Sequence, residues 1–215
     1  MNDSSKEVPK RPIGSFDVRP VPTSTVHVVR NLSAVTHATE ARALAQTLLE
    51  HALPRRWAHT QGVANQAASL ADLLGADADL IEASAWLHDI GYSPGLVETG
   101  FHPLDGARYL RDVEDADQRV YRLVANHTCA VVEAEERGLL ADLSAEFPPE
   151  QDDLTDALIY SDMTTDPDGR PITVQDRIRE ILDRYGPDDV VARSIGRATP
   201  RLIAAVERVE RRLTR

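Results

Sequence analysis

Lysine is almost missing from this chain. Of 24 basic side chains only Lys6 and Lys10 are lysines. Beyond residue 10 no lysine can form a Schiff base, act as a general base or clamp a phosphate, so arginine must supply any such cation. Cysteine occurs once, as Cys129. That excludes an internal disulfide and a cysteine-rich zinc site, and it agrees with a reducing compartment, taken here to be the cytoplasm. Long apolar runs are lacking as well. The cleanest, such as Leu202 to Val206, are far short of the roughly 20 residues a membrane-spanning helix needs. The first 17 residues are polar and broken by proline, which predicts no export signal. Positive charge is in short supply: 24 basic against 35 acidic residues leave a net charge of −11. A chain so acidic is poorly suited to coating nucleic acid, and an anionic ligand must be drawn in by something local.

What is present is a chain of 215 residues, 42% hydrophobic and 27% charged, enough for one domain with a real core. Residues 1–36 stand apart. They hold Pro9, Pro12, Pro20 and Pro22, and five basic against three acidic side chains, so they carry +2 and the remainder carries −13. They read as a loosely attached tail with one short strand at Thr25–Val29, ahead of a domain over 37–215. From Thr39 on, helical signals dominate and strand patterns are nearly absent, so the predicted class is all-α, with about eight to nine helices. Thr39 is a candidate cap for a helix to His51. Pro54 suits the first turn of a helix to Leu74, whose stripe includes Trp57, Val63, Ala64, Ala67 and Leu70. Asp77 or Asp79 can cap a helix through Trp86 to Asp89. Further helices are predicted from Pro103 to Asp112, Asp117 to His127, Val131 to Arg137 and Glu150 to Tyr160. Thr173 with Asp176 resembles a capping box for a helix to Tyr185, and Thr199–Pro200 open the last helix, which ends in a basic patch. Two turn-rich loops, 91–100 and 161–171, each follow a candidate ligand and are expected to wall a site.

Seven histidines are present. Four have distinctive contexts: His59 in Trp57-Ala58-His59-Thr60, His88 in Trp86-Leu87-His88-Asp89-Ile90-Gly91, His102 in Phe101-His102-Pro103, and His127 in Asn126-His127-Thr128. Asp162 follows Tyr160-Ser161. The doublet His88-Asp89 ends a strongly apolar helix, where an imidazole and a carboxylate are costly to bury unless paired or bound to a cation. Neutral imidazole and carboxylate are donors for borderline-to-hard divalent ions: Fe, Mn, Zn, Co, Ni or Mg. His27, His37 and His51 read as surface or packing residues, Cys129 as a small buried thiol, and Trp57 and Trp86 as core.

His59, the His88-Asp89 doublet and Asp162, in that order on separate helices, resemble the metal-binding signature of the HD-domain superfamily. The added His102 and His127 resemble its dinuclear branch. A looser likeness links His102-Pro103-x-x-Gly106-Ala107 and His127-Thr128 to bacterial HD hydrolases of diadenosine polyphosphates. The resemblance implies an all-helical phosphohydrolase acting on a small phosphorylated metabolite or nucleotide. His59, His88, Asp89 and Asp162 would hold one divalent ion. Asp89, the candidate catalytic carboxylate, would bridge to a second held by His102 and His127, and a hydroxide between the ions would attack phosphorus. Many relatives carry a lysine three residues after the aspartate of the doublet; here that residue is Tyr92. Arginine must then contact phosphate, with Arg108 the first candidate and Arg55, Arg56 and Arg170 behind it. Thr128, Thr164 and Thr165 are candidate hydroxyl donors. The missing lysine leaves two other readings open, a dinuclear iron oxygenase of the same superfamily and a non-catalytic nucleotide-binding regulatory module. No membrane partner is expected, nucleic acid is disfavoured, and a homodimer is an open option.

Overall fold

The computed structural model describes residues 37–150 and 152–215. The reading of a tail with a Thr25–Val29 strand, and His27 with it, falls outside these residues. Among the described residues eleven α-helices follow one another: α1 (His37–Leu49), α2 (Pro54–Ala68), α3 (Ala71–Leu74), α4 (Ala78–Leu87), α5 (His102–Asp112), α6 (Gln118–Asn126), α7 (Ala130–Arg137), α8 (Leu140–Glu146), α9 (Asp152–Met163), α10 (Val174–Tyr185) and α11 (Val190–Leu213). Nine of them have eight residues or more, in line with the predicted number. Short 3-10 turns cover Gly75–Asp77, Ile90–Tyr92 and His127–Cys129. Among the described residues there is no strand, only one isolated bridge between Thr165 and Pro171. None of their helices is long and apolar enough to cross a membrane.

The middle of the fold is α4, of which Leu80, Ile81, Ala83, Ser84, Ala85, Trp86 and Leu87 are buried. A helix buried on most of its circumference must be covered on several sides, and α1, α2, α6 and α9 pack around it. Trp57 from α2 meets Trp86 with ring centroids 5.5 Å apart. A second buried apolar cluster, Ile159, Met163, Ile178, Ile181, Ile195, Leu202 and Val206 among its members, joins α9, α10 and α11. Helix α9 serves both clusters, giving Leu154, Ala157 and Leu158 to the first and Ile159 and Met163 to the second.

Several boundaries differ from the sequence reading. The helix predicted from Pro54 to Leu74 breaks after Ala68, and the Ser69 hydroxyl donates to the Gln66 carbonyl, a local bond that competes with helix continuation. Thr39 lies two residues inside α1 and not ahead of it. The Asp79 carboxylate, on α4, accepts from the His37 and Ala38 amides instead. Asp77 makes no capping bond to α4 and pairs with Arg119 at 2.9 Å. Asp117, Thr173 and Asp189 do cap their helices through their side chains. Thr199 and Pro200 do not open the last helix: α11 begins ten residues earlier, with Pro200 inside it. Proline is tolerated there because Pro200 and Gly196 both face solvent, so the carbonyl that loses its donor meets water. The buried stripe, Ile195 and Ala198 before it and Leu202, Ala205 and Val209 after it, runs past the proline and keeps both halves docked. Helix α8 was not anticipated by the sequence reading.

Candidate metal centre

The six singled-out ligand residues come together. His59 lies on α2, His88 and Asp89 just past the end of α4, His102 at the start of α5, His127 directly after α6, and Asp162 on α9. Five are buried, between 1% and 6% exposed, and His102 is half-buried. Two sets of donor atoms each lie within 4.8 Å of one another: His59, His88 and Asp162, and Asp89, His102 and His127. Asp89 links the sets. Its Oδ2 is 3.2 Å from His88 Nε2 and 3.9 Å from His59 Nε2, and its Oδ1 is 3.3 Å from His102 Nε2.

Main-chain carbonyls aim three of the imidazoles. Nδ1 of His59 donates to the Asp166 carbonyl at 2.9 Å, Nδ1 of His88 to Ala85 at 2.7 Å and Nδ1 of His127 to Val124 at 2.6 Å. A carbonyl only accepts, so each Nδ1 carries the proton, and in a neutral ring Nε2 is then a lone pair. Two of those lone pairs face carboxylates and the third faces another imidazole. His59 Nε2 faces Asp162 Oδ1 at 3.0 Å, His127 Nε2 faces His102 Nε2 at 3.1 Å, and the buried His88 Nε2 lies 3.2 Å from Asp89 Oδ2. Lone pairs facing carboxylates in a dry interior are satisfied by a proton or by a metal ion, and this donor set fits a divalent metal.

Burial pushes His127 below its ordinary value and takes His102 down to about 3, which favours the neutral, ligating form. Although burial opposes charge on all of them, Asp89 keeps His88 raised, and Arg56 and His88 hold Asp89 well below the carboxylate range. The Asp162 carboxyl is likewise held down against its burial, first by the His59 hydrogen bond.

Backbone proximity sets this geometry. Gly91 lies against the start of α5: a Cβ placed on it would sit 2.1 Å from the His102 carbonyl oxygen and 2.8 Å from the Gly106 amide. Only glycine lets the Asp89 turn approach His102 this closely. On the far side, Thr128 (φ 48°) and Cys129 (φ 58°) both adopt left-handed backbone, at a cost of roughly 1–2 kcal/mol for each residue. The kink brings the Thr128 hydroxyl onto Asp162 Oδ2 as a donor.

Most of the expected anion-binding residues are engaged elsewhere, and Arg56 alone of those placed here reaches Asp89. Arg108 is paired with Glu146, which also takes Arg111 at 2.9 Å. The Thr165 hydroxyl is buried and donates to the Ser161 carbonyl, and Thr164 donates to Tyr160. Thr128 is bonded to Asp162. The arginine at the cluster is Arg56, whose Nη1 lies 2.7 Å from Asp89 Oδ2. Its guanidinium carbon stands 4.0 Å from the centre of the Tyr92 ring, and Tyr92 in turn stacks on His102 at 3.9 Å. Tyr92 thus carries the cation on its face. Sequence spacing held a signal for this, since Arg56 precedes His59 by three residues on one helix.

Asp156, a neighbour of Asp162 on α9, forms a two-bond pair with Arg208 at 2.5 and 2.6 Å. Cys129 is a partly buried thiol whose pKa burial raises. The loop after Asp162 approaches the cluster through the Asp166 carbonyl, and the 93–101 loop is tied by Asp105, which accepts from Thr99 and the Gly100 amide.

No curated protein and no solved structure matches the chain. The sequence model of the HD domain matches residues 56–188, more than half of the chain and a span that holds every residue of the cluster. The chain belongs to the HD-domain family.

Proposed function

We propose that this protein is a metal-dependent phosphohydrolase with a dinuclear centre, acting on a small phosphorylated metabolite or nucleotide. HD domains are mostly metal-dependent hydrolases, and the cluster supplies the donors for such chemistry. The observation that carries the reading is the convergence of Nε2 atoms from His59, His88 and His127 on Asp89 and Asp162, with each opposite ring nitrogen tied to a carbonyl. His59, His88 and Asp162 would hold one divalent ion, and His102 and His127 the other, with Asp89 between them. Ions held there would supply Lewis acidity and a water of lowered pKa.

The chain's own groups do the rest. The three carbonyl-bound imidazoles hold their lone pairs inward and need no reorganisation on binding. Arg56 sits on Asp89 and on the Tyr92 ring, where its fork can turn to a phosphoryl oxygen without leaving the site. Tyr92 keeps that guanidinium in place and shields one face of His102 from water.

Metal analysis of protein purified without chelator, followed by a phosphoester panel run with and without oxygen, tests the reading. We expect about two equivalents of metal and hydrolysis that proceeds anaerobically. Asp89→Asn should lose metal and activity together. Turnover only in oxygen would favour the oxygenase, and a metal-bearing protein that turns over nothing would favour a regulatory module.

A further inference from the structure

A cavity of about 320 Å³ opens beside the cluster and has His59 in its wall. Four arginines line it: Arg55, Arg56, Arg177 and Arg184. Among the described residues no acidic side chain does, although the domain is strongly acidic as a whole. Leu53, Pro54 and Pro167 give the apolar part of the wall.

Arg177 is the unusual member. It is 4% exposed, and a guanidinium this deep needs partners for its five donors. Its Nη1 reaches Glu180 at 2.5 Å, its Nη2 stays 4.0 Å from Asp162 Oδ1, and its Nε has no partner among the described residues. Glu180 is also the carboxylate that Arg184 approaches, at 3.5 Å, so one acid serves two cations. Arg55 pairs with Asp168 at 3.0 Å, Arg56 stands on Asp89 and Arg177 lies by Asp162, which leaves Arg177 and Arg184 to share the single carboxylate of Glu180.

We infer that this cavity is a second phosphate subsite, in which Arg177 and Arg184 hold a phosphate of the substrate distinct from the one being cleaved. Two guanidiniums offer more donors than the two oxygens of a carboxylate can take, and they match the three free oxygens of a phosphate. The volume lies at the low end for small-molecule sites, which suits a compact body against Leu53, Pro54 and Pro167 and excludes a long polyanion. The substrate class is then a small molecule with two phosphates, not a plain phosphomonoester. What is cleaved rests on the phosphohydrolase reading; the subsite itself rests on the arginines.

The test uses the full-length, metal-bearing protein with methylenediphosphonate as a non-hydrolysable probe and methylphosphonate as its one-phosphate counterpart. Calorimetry should show the diphosphonate binding at least tenfold tighter. In Arg184→Gln and Arg177→Gln that preference should fall at least tenfold, and so should the kcat/KM ratio of diphosphate to monophosphate esters. A purely structural role for these arginines would lower stability and leave the preference intact. Circular dichroism checks the fold, and Arg184, on the outer side of α10, decides the matter alone if the Arg177 variant fails to fold. Wild-type preference in the folded variants overturns the subsite, whatever the enzyme hydrolyses. Lost preference in a protein that cleaves no phosphoester upholds the subsite and overturns the hydrolase reading.

Discussion

Replacing Gly91 by alanine adds one methyl group at the tightest backbone approach next to the cluster. The new Cβ would lie 2.1 Å from the His102 carbonyl oxygen and 2.8 Å from both the His102 carbonyl carbon and the Gly106 amide. Close-packed carbon contacts sit near ~3.5 Å, so the Asp89 turn and the start of α5 must part by about 1 Å or more. All three obstacles are backbone, and no flexible side chain can give way. Overpacking of this kind costs about 1–3 kcal/mol, which lowers Tm by roughly 3–10 °C for a domain of this size. The larger effect falls on His102, whose Nε2 now stands 3.3 Å from Asp89 Oδ1. A shift near 1 Å removes one donor from the set that includes Asp89 and His127, and misplacement on that scale costs on the order of 100-fold in rate. Metal titration of Gly91→Ala should show one tight site kept and one weakened. Circular dichroism should show unchanged helix content. Two sites of wild-type affinity with an unchanged Tm would refute the argument that this glycine sets the approach of the two segments.

Other variants test separate parts of the site. Arg56→Gln should lower kcat/KM for phosphoesters roughly 10- to 100-fold, yet leave metal affinity equal or higher, because a positive charge leaves the side of Asp89; weaker metal binding would contradict the assignment. Thr128→Ala should lower metal affinity roughly tenfold through loss of the bond to Asp162, while Thr128→Ser keeps it; equal affinities by calorimetry would remove Thr128 from the support of the centre. Chelation should lower Tm by roughly 5–10 °C from a protein held at 100 times the metal Kd, and scanning calorimetry reads this directly. Glu146 is held below its ordinary value of 4.5, first by its hydrogen bond from Arg108. Below that value the unfolded chain binds the extra proton first, so the pair stabilises above about pH 4.5 and the contribution fades as pH falls. Glu146→Gln should therefore narrow the gap in Tm between pH 6 and pH 3.5, and an unchanged gap would count against the pair.

The six ligand candidates were legible in sequence because each sits in its own short context, and contact among them needed no prediction of angles between helices. The arginines were not legible in the same way. Arg108 follows His102 on one helix, yet α5 carries it to Glu146, whereas Arg56 reaches Asp89 only because α2 packs on α4. Which guanidinium enters a site is a property of packing between elements. The helix boundaries failed for local reasons. Pro200 imitates a helix start, but Asp189 with Val191, Ile195 and Ala198 was a stronger signal for α11. The cap on α1 comes from Asp79 across the fold, which spacing along the chain does not reveal.

Asp162 belongs to a helix that stands between two apolar clusters, with its other ligand partners anchored in or beside the first. A protein built this way can open in stages. If the α10–α11 cluster loosens first, the carboxylate is withdrawn from the imidazoles while α2, α4 and α6 remain folded. Cation release and partial unfolding are then one event seen from two sides. Amides of α10 and α11 should exchange with solvent faster than those of α4. Added metal should slow that exchange even though no ligand atom lies on either helix, because binding and closure share one free energy.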